Sequence, residues 1–234
     1  MKRDHDDVMR PEPSPRSQPW GPDWTSRGVI RVLEPLVLPR RQERIQSVLK
    51  SRLASVVVVM DAPHDPHNGA AVMRSCDAFG VQELHVVLRH EPFLVSRAVT
   101  QGTERWVDLA LHQTPEGAVE QLVGAGYEIV STHPEGELLP DDLATIPRLA
   151  LLLGNEHDGI REALARAARR SVRIPMRGFV ESLNVSVSAA ILLHAATRQR
   201  AGDLDPERRL AFYAAGLYHS LPRAGEILSA SSPE

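Results

Sequence analysis

Short, almost uninterrupted apolar runs separated by stretches with helical periodicity constrain this 234-residue chain more than any other feature. SVVVVM at residues 55–60 and LALLL at 149–153 contain no alternating polar position. A strand with that composition must be covered on both faces, which is the situation of a parallel sheet flanked by crossover helices. Strands are predicted at Val56–Met60, Leu84–Leu88, Val107–Leu111, Glu128–Ser131, Leu149–Leu153 and Val172–Ile174, with helical patterns between most of them. The fold class is therefore α/β. A hydrophobic fraction of 42% suffices for one good-sized core.

The flanks read differently. Residues 1–27 hold Pro11, Pro13, Pro15, Pro19 and Pro22 among charged residues, with few aliphatic side chains to offset the entropy of ordering, so a flexible tail is expected there. Residues 28–54 form a basic helical extension, with Ile45, Val48, Leu49 and Leu53 at helical spacing between Arg40 and Leu53. The main domain is expected over 55–202, and 203–234 should hold a C-terminal helix, from Pro206 to about Ser220, and a frayed end.

Charge and cysteine usage exclude several classes. A net charge of −3 does not suit a protein that coats nucleic acid through many phosphate contacts, although arginines cluster locally at 40–52, 161–177 and 198–200. The single cysteine, Cys76, precludes an intrachain disulfide or a cysteine-rich zinc site and fits a reducing compartment. No stretch approaches the roughly 18 apolar residues of a membrane span, and the N-terminal segment lacks the apolar core of a signal peptide, so a cytoplasmic location is expected. His64 and His67 have no further clustered ligands, and no metal site is expected.

Three segments carry chemistry. In HNGAAVMR, residues 67–74, Asn68 is predicted to cap a helix whose apolar side is interrupted by Arg74; that arginine is either a surface ion-pair partner or a fork that clamps a substrate phosphate. In LGNEHDG, residues 153–159, a buried strand ends in a polar loop bounded by Gly154 and Gly159, where α/β proteins place ligands. Glu156 adds a carboxylate that can orient ligand groups. In IPMRGFVESLNVSVSAAI, residues 174–191, Ser182 is predicted to cap a long helix reaching about Arg200. Ser182 and Asn184 then either cap the helix or orient ribose and cofactor. The glycine spacings fit neither a dinucleotide fingerprint nor a P-loop.

Together, and in this order, the three segments resemble the motifs of the SpoU/TrmH family of RNA 2′-O-ribose methyltransferases, within the SPOUT superfamily, over roughly residues 40–200. QGTERWV at 101–107 also resembles a family stretch. The resemblance implies a Rossmann-like parallel core with a C-terminal deep trefoil knot, flanked by N- and C-terminal helices, and a homodimer with its sites at the subunit interface. It implies S-adenosylmethionine as cofactor, held at Thr132, Gly154, Glu156, Gly159, Ile174, Met176, Leu183 and Asn184. Catalytic roles fall by matching position on Arg74, Asn68, Ser182 and Asn184, with Arg74 either the base or an electrostatic activator of the ribose hydroxyl. Contacts to RNA are expected from Arg41, Arg44, His67, Arg105, Arg198 and Arg200. The resemblance is nearest to the enzymes that methylate a D-loop guanosine of tRNA. An rRNA target and a knotted RNA-binding or ribosome-assembly protein without turnover are the alternatives. Gly69 stands where a bulkier residue is common, and the Pro-rich tail and the C-terminal segment have no family counterpart.

Overall fold

A computed structural model describes residues 8–9, 18–89, 92–155 and 157–233. The expected tail thus lies largely outside the described residues, as does Glu156. Two compact units emerge: among the described residues, one takes in 8–9 and 54–200, the other 18–53 and 201–233.

The larger unit is built on a six-stranded sheet. A two-residue strand β1 (Val8–Met9) comes first, followed by β2 (Leu53–Asp61), β3 (Val81–Val87), β4 (Val95–Ser96), β5 (Asp108–His112), β6 (Glu128–Thr132), β7 (Leu149–Leu153) and β8 (Arg170–Val172). The main sheet has the order β5-β3-β2-β7-β6-β8, while β1 and β4 form a separate antiparallel pair. The pairs β2/β7, β3/β5, β6/β7 and β6/β8 are all parallel, with Val58 opposite Leu151 and Val130 opposite Leu151 on its other side. This central position explains LALLL: all five residues of β7 are buried.

Nine α-helices occur among the described residues. In the larger unit these are α3 (Pro66–Ala78), the single turn α4 (Arg97–Thr100), α5 (Pro115–Gly124), α6 (Glu162–Ala167) and α7 (Val185–Thr197). Val57 and Val59 of β2 share a buried cluster with Ala118 and Leu122 of α5 and Leu164 of α6. Alternation along β2 then directs Val56, Val58 and Met60 to the other face of the sheet. Helices α3 and α7 pack against each other.

The smaller unit contains α1 (Ser26–Leu33), α2 (Pro39–Lys50), α8 (Pro206–Ser220) and α9 (Ala224–Ser229). Helix α1 starts two residues inside the stretch expected to be flexible, because Thr25 caps it by accepting from the Gly28 amide at 3.1 Å. Gly216 lets α8 press on α2, since a Cβ there would lie 2.8 Å from Ile45 Cγ2. The Tyr213 hydroxyl donates to Glu34 at 2.6 Å, and burial together with that carboxylate pushes its pKa up to about 12. Among the described residues of this unit, Leu36 and Leu38 are the exposed large apolar side chains. Helix α9 was not foreseen in the C-terminal stretch, where its six residues offer too short a window for periodicity.

Candidate functional site

The strands β6, β7 and β8 end at one place, and the chain that follows each of them closes a cleft of about 680 Å³. That volume suits a small organic ligand. Thr132, Gly154, Gly159, Ile174, Met176, Leu183 and Asn184, all expected to touch cofactor, line it together with Ser182. Val172, Leu153 and Leu192 supply an apolar wall.

The loop after β7 is pinched by its own backbone. The Asn155 amide donates to Gly159 O at 3.0 Å, and the Asn155 side-chain oxygen accepts from the amides of His157 and Asp158 at 2.9 and 2.8 Å. A Cβ on Gly154 would lie 2.7 Å from the carbonyl carbon of Gly159, and Gly159 itself has φ +70°. Both glycines are therefore required by the turn that shapes the cleft. Asn155 Nδ2 is buried and has no hydrogen-bond partner among the described residues, leaving a donor available beside the cleft.

Behind this loop stands a group that the sequence analysis did not single out. Asp61, fully buried at the end of β2, accepts from the backbone amide and Nε of Arg161, both at 2.6 Å, and pairs with Nη2 at 2.5 Å. The same guanidinium donates to the carbonyls of Val87 and Leu88. It thereby ties the start of α6 to the ends of β2 and β3. The signal in the sequence is an acidic residue closing an apolar strand and an arginine just beyond Gly159, where Arg161 also belongs to a basic run.

On the far side of the cleft, residues 133–139 wrap β8. His133 N donates to Val172 O, Leu138 N to Ser171 O and Arg173 N to Leu138 O, each at 3.0 Å. Gly136 permits the closeness, because a Cβ there would sit 2.6 Å from the Val172 carbonyl carbon. Glu137 accepts from the Ser171 amide and hydroxyl; its own backbone amide, then Ser171, hold its carboxyl below the usual range.

The first and third motifs meet through two asparagines. Asn184 Nδ2 donates to Asn68 Oδ1 at 3.0 Å, while Asn184 Oδ1 accepts from the Ser186 amide at 2.8 Å and its hydroxyl at 2.6 Å. Both predicted caps are corrected by this geometry. Asp65 rather than Asn68 caps α3, since Pro66 at the first helical position starts the helix earlier and Asp65 accepts from His67 N. Asn184 rather than Ser182 caps α7, which ends at Thr197. Ser182 is left in the loop lining the cleft.

Arg74 lies on the exposed side of α3, donates to Val99 O at 3.2 Å and is not among the residues lining the cleft. His67, Arg105 and Arg44 are exposed. Arg41 donates to Ser220 Oγ at 3.0 Å, and Arg198 pairs with Asp141 at 2.9 Å. Arg200, half-buried, donates to the carbonyls of Leu143, Ile146, Pro147 and Ala196, so its guanidinium is engaged by main chain around the turn at 140–147.

With this geometry in view, the comparisons with known proteins are specific. Residues 55–194 match the family model described as the SpoU rRNA Methylase family. The chain is 35% identical over 168 residues to the tRNA (guanosine(18)-2′-O)-methyltransferase of Escherichia coli (strain K12), covering 69% of this chain and 71% of that protein. The crystal structure of the A. aeolicus TrmH/SpoU tRNA modifying enzyme superposes with a TM-score of 0.70 at 27% identity, covering 79% of this chain and 98% of that one. The SpoU methyltransferase AviRb from Streptomyces viridochromogenes, solved with the cofactor AdoMet, gives a TM-score of 0.55 at 25% identity, covering 66% of this chain and 60% of its own. A family match across more than half the chain, with a relative at this identity and coverage, establishes that the chain belongs to the SpoU methylase family.

Proposed function

We propose that the chain transfers a methyl group from S-adenosylmethionine to the ribose 2′-hydroxyl of a tRNA guanosine, guanosine 18 of the D loop. The observation that carries this reading is the meeting of the second and third motifs at a cleft of ligand size, with the first motif joined to the third by the Asn184–Asn68 hydrogen bond. The target is supported by the relatives, which are named for guanosine 18 of tRNA.

The cleft fits the cofactor on its own chemistry. The buried Asn155 amide supplies a donor, the main chain at Gly154 and Thr132 can approach an adenine closely, and Leu183, Ile174 and Met176 give apolar cover. Bound there, S-adenosylmethionine supplies an electrophilic methyl carbon on a positively charged sulfur. Transfer of that methyl group to the ribose oxygen would break the carbon–sulfur bond, leave the sulfur as a neutral thioether and require the hydroxyl proton to pass to solvent. The protein must hold oxygen, carbon and sulfur in line. Ser182 and Asn184 lie where they can orient the ribose, with Asn68 fixing Asn184 from behind. Arg74 clamps the neighbouring phosphate and lowers the hydroxyl pKa by its charge, since a guanidinium is too weakly acidic to serve as a base at neutral pH. His67, Arg105 and Arg198 extend the RNA-binding face of this unit, and Arg41 and Arg44 that of the smaller one.

Two further features belong to the proposal. The insertion of β7 between β2 and β6, with β8 enclosed by residues 133–139, supports a trefoil knot in the C-terminal half. Exposed Phe179, Val180, Val187 and Ile191 form an apolar stretch on α7 and the loop before it, which supports a homodimer with the site at its interface. No helix among the described residues is long and apolar enough to cross a membrane, consistent with work in the cytoplasm.

The test is incubation of the purified protein with unmodified tRNA and methyl-labelled S-adenosylmethionine, followed by mapping of labelled nucleosides. Labelled 2′-O-methylguanosine in the D loop is expected. Label on rRNA fragments alone would move the substrate to the ribosome, and no label on either would favour RNA binding without turnover.

A further inference from the structure

Arg74 is held from outside the three motifs. Its Nη1 donates to the carbonyl of Val99, at 3.2 Å. Val99 lies in the last turn of α4, where carbonyls have no amide partner further along the helix and a cation is the favoured cap. The helix is stopped abruptly by two left-handed residues, Gln101 at φ +48° and Gly102 at φ +90°. The chain leading into α4 is fixed as firmly. Val95, Ser96 and Thr100 are completely or almost completely buried, and β4 is paired along its edge by Val8 and Met9.

This segment has a second attachment to α3, one turn and a half before Arg74. The ring of Phe93, 3% exposed, fills the space that a side chain at residue 69 would take: a Cβ on Gly69 would lie 2.8 Å from Phe93 Cε2 and 3.1 Å from Cζ. Gly69 follows Asn68 directly, so the ring packs beside the residue that accepts from Asn184. The two attachments bracket α3 between Asn68 and Arg74.

We propose that residues 93–100 are a positioning strap for Arg74, anchored by the Phe93 ring in the gap at Gly69 and ending on the Arg74 guanidinium at Val99. The strap rests on the methyl-transfer reading of the site. One N–H of the fork is taken up by Val99, fixing its plane, and the others stay available for an RNA phosphate. Phe93 and Gly69 are positioning residues: neither lines the cofactor cleft. Their effect is on the rate of the chemical step, through geometry fixed before RNA arrives.

The experiment compares wild type with Phe93→Ala, Phe93→Leu, Gly69→Ala and the Phe93→Leu/Gly69→Ala double variant. It measures kcat and KM on unmodified tRNA, S-adenosylmethionine affinity by calorimetry, and amide hydrogen exchange over residues 95–100. Phe93→Ala is expected to lower kcat roughly tenfold to a hundredfold, the scale of a small misplacement of a reacting group, with cofactor affinity unchanged. Phe93→Leu recovers most of the loss. Gly69→Ala lowers kcat by displacing the ring, and the double variant is more active than Gly69→Ala alone because the smaller side chain makes room for the methyl group. Wild-type kcat in Phe93→Ala, or a fall in kcat matched by an equal fall in cofactor affinity, overturns the proposal. If Phe93→Ala does not fold, the leucine variant and the Gly69 pair carry the same comparison, and additive effects in that pair overturn it. Should wild type methylate no RNA, the functional reading fails separately. Faster exchange over 95–100 in the Phe93 variant then still supports the anchor, and unchanged exchange removes it.

Discussion

The two sides of the site are made of different material. The cleft is shaped by main chain: a turn closed on itself at Gly154 and Gly159, a wrapped strand at Gly136 and a loop from Ile174 to Asn184. The side proposed to meet RNA is a regular helix, α3, carrying Asn68 and Arg74 as side chains six residues apart. A main-chain pocket tolerates side-chain change but not an added Cβ at its pinch points, whereas a helix-borne fork tolerates small backbone shifts but not loss of its head group. Binding and chemistry should therefore respond to different substitutions.

The sharpest separation is expected from Arg74→Ala. It should lower kcat by about 1,000-fold, the order lost with a group that stabilises developing charge, while calorimetry finds S-adenosylmethionine affinity unchanged. Wild-type turnover in that variant would dissolve the division of roles. Asp61→Ala tests the support behind the cleft. Removing one partner of a buried ion pair leaves Arg161 unpaired, and denaturant unfolding should show a loss of about 3 kcal/mol or more. Gly154→Ala should reverse the pattern of Arg74→Ala: cofactor affinity falls about tenfold, as the new methyl group forces the loop away from Gly159, and global stability changes by about 1 kcal/mol.

A pH-dependent effect lies away from both sides, at the β3/β5 edge. His85 Nδ1 and His112 Nε2 are 2.9 Å apart with stacked rings, and burial, reinforced by the neighbouring His85, pushes the His112 pKa from 6.5 down to about 4. The unfolded chain binds a proton at His112 in this window and the folded chain does not, so this contribution to stability is complete above pH 6.5 and is lost as pH falls towards 4. Thermal unfolding followed from pH 7.5 to 4.5 should show a shallower fall for His112→Gln than for wild type. Parallel curves would remove the histidine pair as the cause.

The strands and the three motifs were legible because each rests on a local pattern: an apolar run, a glycine pair, a polar helix start. The caps were misassigned because Asp, Asn and Ser all qualify by type, and only the backbone says which comes first. Pro66 selects Asp65; the extended Asn184 selects itself over Ser182. The roles of Arg161 and Arg200 were hidden for another reason. Asp61 and Arg161 are separated by 100 residues, and Arg200 reaches carbonyls up to 57 residues earlier in the chain. Nothing local marks an arginine as interior when its acceptors are main-chain carbonyls elsewhere. Phe93 and Gly69 are of the same kind: a glycine inside a helix signals close approach, but not by what.

The Asn184 side chain joins two events that are usually independent. Its oxygen starts α7 and its nitrogen reaches Asn68, so one amide group cannot rotate without both fraying the helix and parting the two motifs. A ligand that immobilises this amide will slow the opening of the first turn of α7, and RNA or cofactor binding will be visible as added protection at amides that touch neither. Conversely, any change that loosens the first turn taxes affinity at a distance, because part of the binding free energy must then restore order to the helix.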